Sequence, residues 1–480
     1  MPEASASTSA QTSQPLPDGF EVLLDPRVLR LGSGRVLVGG SPMTVLRLSP
    51  RATSSLAEAR VVVTDRASAM LADRLVATNL AHPDITRLAP AEADDLVVVV
   101  PVRDRPDQLD RCLRALHPLS VIVVDDASHD PQAVAAVAAR HGATLVALTT
   151  NGGPAAARNV GLTHVRTPLV AFVDSDVEAT SDALLRLGAH LADPAVALVG
   201  PRVVGHTRSP QPRWFERYDA AASSLTLGTT PSTVRPGATV AWLPSACLVA
   251  RTGSLGDGFD PHLRVGEDVD LVWRLVALGR RVRYEPAITV RHDVRPTVRG
   301  WLGRKVLYGS GSAGLGQRHG SHVAPAILSP TMALAGGALL ARRRWSVPLA
   351  VGAAVVGARW LVRPLPRTIP PTIRSRGAVR LALRGAGWSL RQQSALLLRH
   401  WWPATALGCA VSAPLRRAVT TALIVDSCIA YAQRPNRSPS LPALFAGRRL
   451  DDLAYGAGLW WGAARSRDIT ALRPRRPSGP

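Results

Sequence analysis

Between residues 95 and 176 four short, continuous apolar runs alternate with three stretches of helical spacing, and few folds accept that order. The runs are Leu96–Val100, Val121–Val124, Thr144–Leu148 and 169–173. Between them lie Leu109, Cys112, Leu113 and Leu116 at helical spacing, a helix over 131–141, and a helix beginning near Ala155. Strands without polar alternation are buried on both faces, which a parallel sheet covered by helices provides. Right-handed crossovers then make β-α-β-α-β-α-β an α/β, Rossmann-like, doubly wound and mostly parallel sheet.

In such sheets ligands bind outside the carboxyl ends of the strands. The last run passes straight into Asp174-Ser175-Asp176, and the second ends in Asp125-Asp126. A lone D-x-D is more often a pair of solvated turn aspartates. At this edge, two hard oxygen ligands suit Mg²⁺ or Mn²⁺ holding a diphosphate. Asp125 or Asp126 is placed to meet a base or ribose, and Arg158, after Asn151-Gly-Gly153, to meet the nucleotide. Glu267-Asp268 follows Gly266 at the head of a helix. Acids favour that end of the dipole for structural reasons, but Asp268 there also fits a general base. His292 is a nitrogen donor for the same metal, although a lone histidine is usually no ligand.

In this order, the stretches Val97–Pro101 with Arg103, Val123–Ser128, Asn151–Gly161, Phe172–Asp176 and Gly266–Arg274 resemble the inverting family 2 glycosyltransferases with the GT-A fold. The resemblance covers residues 95–295. It implies a nucleotide-diphospho-sugar donor held by Pro101, Arg103, Asp125, Asp126, Arg158 and Asp174. It also implies a divalent metal at Asp174, Asp176 and His292, of which Asp176 is the direct ligand and Asp174 faces the ribose. Asp268 is then the catalytic base, with Glu267 beside it as a second catalytic residue, and an α-linked donor yields a β-glycoside. The Q-x-x-R-W motif of processive synthases is not matched by Arg391-Gln-Gln393 or Arg399-His-Trp401, so no chain-extruding channel is expected.

The flanks, Leu24–Val28, Val38–Pro42, Leu46–Ser49 and Arg449–Tyr455, are similar to the glycosyltransferases of mycofactocin clusters. That implies transfer of a hexose from UDP-glucose to pre-mycofactocin, a peptide-derived redox cofactor precursor. It further implies that an N-terminal α+β module over 18–92, winged-helix-like or a packing extension of its neighbour, engages the acceptor or a maturation protein. Two other readings are a transferase acting on a lipid or cell-wall glycan, and a silent sugar-nucleotide or peptide binding module; the intact acid pairs argue against the latter.

Residues 1–17 read as disordered and 93–300 as the catalytic domain. From Trp301 onward the chain holds 26 Arg and Lys against four acids, whereas residues 1–300 are neutral at 31 of each sign. This basic helical region, 301–480, contains candidate membrane helices at 324–341 and 345–362, and its interleaved Arg, Trp and Leu suit an anionic membrane interface rather than nucleic acid. The location expected is the cytoplasmic face of the cell membrane. Cys112, Cys247, Cys409 and Cys428 form no C-x-x-C pair, which suits a reducing compartment, and the N-terminus shows no signal-peptide pattern.

Overall fold

A computed structural model describes residues 14–362, 371–433 and 438–477. Residues 1–13 of the stretch expected to be disordered lie outside these; Leu16 packs into an apolar core. The N-terminal strands are β1 (Glu21–Leu24), β2 (Leu29–Leu31), β3 (Val36–Gly39), β4 (Thr44–Arg47), β5 (Arg60–Val62) and β6 (Ala81–Pro83), with helices α1 (Pro50–Ser55) and α2 (Arg66–Ala77). They make two three-stranded sheets, β5-β1-β6 and β2-β3-β4. Asn79 fastens this module to the next: its amide donates to the Thr233 carbonyl at 3.0 Å, and its carbonyl accepts from the Thr233 N–H at 2.5 Å.

The central sheet comprises β7 (Leu96–Val102), β8 (Ser120–Asp125), β9 (Thr144–Ala147), β10 (Leu169–Val173), β11 (Val177–Glu178), β12 (Val196–His206), β13 (Ser232–Thr233), β14 (Cys247–Arg251) and β15 (Arg281–Asp293). Its order is β11-β15-β12-β14-β10-β7-β8-β9, with β13 on β15. Strands β10, β7, β8 and β9 are parallel neighbours. Antiparallel β14 separates them from the parallel pair β12 and β15. Helices α3 (Pro106–Leu116), α4 (Pro131–Arg140) and α6 (Ser181–Gly188) cover one face, around Leu109, Val134 and Leu184. Helices α5 (Gly153–His164) and α8 (Glu267–Ala277) cover the other, around Ala157, Phe172 and Leu271. Short α7 (Trp214–Ala221) follows β12.

The strand that the pattern Thr239–Trp242 predicts is a loop; the paired segment is Cys247–Arg251, matched residue for residue with β10. Pro244, without an N–H, cannot extend the ladder backward.

The C-terminal region is helical: α9 (Val298–His319), α10 (Pro330–Ala341), α11 (Ser346–Val362), α12 (Pro371–Ala395), α13 (Trp402–Val411), α14 (Ala413–Ala432) and α15 (Leu441–Ser466), with a single π turn at Leu396–His400. The candidate membrane helices at 324–341 and 345–362, for which a single span, a re-entrant pair or a soluble helical pair is as compatible with the sequence as a two-span hairpin, are shorter than expected. Residues 324–329 are not helical, and the Leu328 N–H and Ala326 carbonyl pair with the backbone of Arg475. That leaves helices of 12 and 17 residues, about 18 and 26 Å long at 1.5 Å per residue, against ~30 Å of hydrocarbon. Among the described residues no helix is long and apolar enough to cross a membrane.

Helix α15 returns to lie on α9 at backbone distance. A Cβ at Gly458 would stand 1.9 Å from the Val306 carbonyl oxygen, and one at Gly309 2.2 Å from that of Tyr455. Substituting Gly458→Val is expected to force the helices apart, costing about 1–3 kcal/mol. It should lower the apparent Tm in a thermal melt and distort the cavity that α15 also lines.

Candidate active site

Because β7, β8 and β10 run parallel, their carboxyl ends bring Arg103–Arg105, Asp125-Asp126 and Asp174–Asp176 to one edge. Above that edge opens a cavity of about 1250 Å³, lined by these loops, the start of α8, and the inner faces of α9 and α15.

Arg158, on α5, is the hub of the sheet-side wall. It is buried; one Nη donates to Asp174 Oδ1 at 2.6 Å and the other to Glu267 Oε1 at 3.0 Å. Its guanidinium lies 5.2 Å from the Phe259 ring centroid. Burial disfavours its charge, but Asp174 and Glu267 more than compensate, so its pKa rises and it stays charged. Glu267 is therefore held by Arg158, while Asp268 is left with two backbone donors, Ser245 N–H at 3.1 Å and Val269 N–H at 2.8 Å. Burial, then the neighbouring Glu267 charge, push the Asp268 carboxyl up to about 7. A carboxylate so poised can take a proton near neutral pH. Gly266 sets its position: φ is +86° and a Cβ would lie 2.8 Å from Leu315 Cδ1, so only glycine fits this turn into α8.

The third acid of the helix head, Asp270, has a different role. It is fully buried and accepts from Arg274, Arg318 and His319 at 2.7–2.9 Å, tying α8 to α9.

The remaining expected residues divide. Pro101, Arg103 and Asp126 line the cavity. Asp126 accepts from the Gly152 and Gly153 N–H groups at 2.7 and 2.9 Å, fixing the glycine loop. Asp125 turns away, accepting from the Ser128 N–H and hydroxyl at 3.0 and 2.5 Å. Asp176 pairs with Arg105 at 2.5 Å and Arg295 at 3.3 Å, and lies 3.7 Å from His292 Nε2. Burial opposes its ionisation, yet His292, Arg295 and Arg105 together lower its pKa.

Mg²⁺ and Mn²⁺ retain waters and take one or two carboxylates plus substrate phosphates. Asp174, Asp176 and His292 all open on the cavity and fit such a partial donor set. Among the described residues no group of three or more His, Cys, Asp or Glu could hold an ion unaided, so phosphate oxygens would have to complete the shell.

The opposite wall was not legible as part of a site. Lys305, the only lysine in the chain, is buried on α9, forms an ion pair with Asp451 at 2.9 Å and donates to the Ser224 hydroxyl at 2.8 Å. Arg399 donates to Asp452 at 3.0 Å and to Asp451 at 3.3 Å, and stacks 4.0 Å from the Tyr455 ring centroid. Lys305, Arg399, Asp451 and Tyr455 all line the cavity. One signal was available: Asp451 and Asp452 are two of only four acids in a strongly basic stretch, and such acids end up paired.

A doubly wound sheet whose carboxyl edge carries these acids, faced by a helix-borne Asp268, fits a glycosyltransferase of the GT-A fold. Residues 97–238 match the model of glycosyl transferase family 2, and residues 169–425 that of glycosyl transferase family group 2. The pre-mycofactocin glycosyltransferases of two Mycobacterium tuberculosis strains, CDC 1551 and H37Rv, are 40% identical over 476 residues, covering 97% of this chain and 99% of theirs. Among solved structures, a mannosyltransferase from Pyrobaculum calidifontis in complex with GDP-Man and Mn²⁺ aligns over 78% of this chain and 90% of its own, at 19% identity and a TM-score of 0.41. The chain belongs to the family 2 glycosyltransferases of the mycofactocin system.

With Asp268 as base, turnover should rise with pH through about 7 and level off above, since only the ionised carboxylate accepts the proton. Replacing Glu267 by Gln removes a charge that raises this pKa, so the acid limb of the kcat/KM profile should move to lower pH. An unmoved limb would detach the profile from this pair.

Proposed function

We propose that this glycosyltransferase moves a hexose, glucose, from UDP-glucose to pre-mycofactocin by a single inverting displacement that depends on a divalent metal. The observation that carries the acceptor assignment is the likeness to pre-mycofactocin glycosyltransferases over nearly the whole chain, the C-terminal wall included. The mechanism rests on the two walls of the cavity. The diphosphate lies at the Asp174–Asp176 edge, where Arg105 and Arg295 offer guanidinium groups to its oxygens. Bound there, a divalent ion supplies positive charge that stabilises the diphosphate as it leaves.

The acceptor occupies the side formed by α9 and α15, with its hydroxyl at Asp268. As that oxygen bonds to the anomeric carbon, the sugar–phosphate bond breaks and Asp268 takes the hydroxyl proton. Lys305 and Arg399 are already paired with Asp451 and Asp452, so these two cations are committed within the wall.

The test incubates the protein with UDP-glucose and pre-mycofactocin, with Mn²⁺ or with a chelator, and weighs the products by mass spectrometry. One or more added hexose units are expected, lost on chelation. Asp268→Asn should slow transfer at least about 10²-fold while leaving donor binding intact. Undiminished transfer in the chelator would overturn the metal, and undiminished transfer by the variant would overturn the base.

A further inference from the structure

The helices α10, α11 and α12 pack with their apolar sizes inverted. Their mutual contacts are made largely by alanine: Ala335, Ala338, Ala350 and Ala353 form one cluster, and Ala358, Ala378 and Ala382 another, while Met332 and Leu340 of α10 are also buried. On α11 and α12 most of the larger apolar side chains point outward. On α11, Val347, Val351 and Val355 are 64, 56 and 45% exposed, and from residue 347 to 358 the helix carries no charged or hydrogen-bonding side chain. On α12, Leu383 is 63% exposed, and on α13 Leu407 is 77% exposed. Water-soluble packing puts large apolar groups inside, and soluble monomers seldom expose large apolar patches. Small residues between helices with large ones outside is the arrangement of helices that meet lipid.

The charges around this face identify the lipid. Arg342, Arg343 and Arg344 with Trp345 precede α11, and exposed Arg380 and Arg384 flank Leu383 on α12. A second copy of the chain would bring two arginine-rimmed patches of like charge together, since an isologous contact pairs a patch with itself. An anionic bilayer satisfies both the valines and the arginines.

We infer that the outer face of α10–α12 lies in the surface of an anionic lipid bilayer, with α11 parallel to it and no segment of this layer crossing. The cavity, bounded by α9 and α15 on the inner side of the same region, is thereby kept beside the membrane.

The full chain is sedimented with phosphatidylcholine vesicles with and without phosphatidylglycerol. Binding is expected only with the anionic lipid, weakening as salt rises. Replacing Arg342, Arg343 and Arg344 by Glu together should lower binding at least about tenfold, given roughly 1 kcal/mol per basic residue near an anionic surface. Val351→Asp with Val355→Asp should abolish it. Both variants are on the solvent side and should retain the native circular dichroism spectrum; transfer to a soluble acceptor should be unchanged. A blue shift of Trp fluorescence on adding anionic vesicles is a second readout. Equal binding to neutral vesicles, no binding to either, or a dimer in sedimentation that the valine variants dissolve would overturn the inference.

Discussion

The buried Arg158 guanidinium is the interaction on which the catalytic half of the molecule depends. It joins α5 to the end of β10, the next element along the chain, through Asp174, and to the first turn of α8, 109 residues away in sequence, through Glu267. Without it, two carboxylates would face each other beside a third. Breaking a buried pair from one side typically costs about 3–5 kcal/mol, because the remaining charge is left uncompensated. Arg158 also divides labour between adjacent acids: Glu267 is committed to it, and Asp268, with only backbone donors, is the one whose proton affinity burial raises.

The sheet was readable to the extent that its strands are continuous apolar runs. Strands β7, β8, β9 and β10 fall where those runs stand, and Asp174, Asp176, Arg158, Glu267, Asp268 and His292 gather on one cavity as their places at strand and helix ends imply. Strand β14 escaped because five residues after a loop carry no sign of which neighbours they enter between. Asp125 and Asp126 are alike in sequence; only the path of the chain after β8 turns one to Ser128 and the other to the glycine loop. The Arg105 and Arg295 contacts with Asp176 likewise depend on tertiary approach, which spacing does not encode.

The C-terminal region shows the larger departure. Its apolar content reads as membrane spans when only composition is weighed, but Pro330 begins a helix of 12 residues, and the segment before it pairs with the backbone near the C-terminus. The same region instead supplies an inner wall. Glycines at 309, 458 and 462 let α15 lie against α9, and that contact carries Asp451 and Tyr455 to the cavity facing Asp268. The basic surplus after residue 300 is thus shared between ion pairs that build the pocket and arginines exposed on the outer helices.

In the proposed mechanism one carboxylate, Asp268, acts on one side of the anomeric carbon while the diphosphate departs on the other. The most direct measurement of that claim is the anomeric configuration of the product, read by NMR from the coupling of the transferred sugar's anomeric proton. From an α-linked nucleotide sugar, a β-glycoside is predicted. An α-glycoside would contradict a single displacement at Asp268 and require a different arrangement of reacting groups in the cavity.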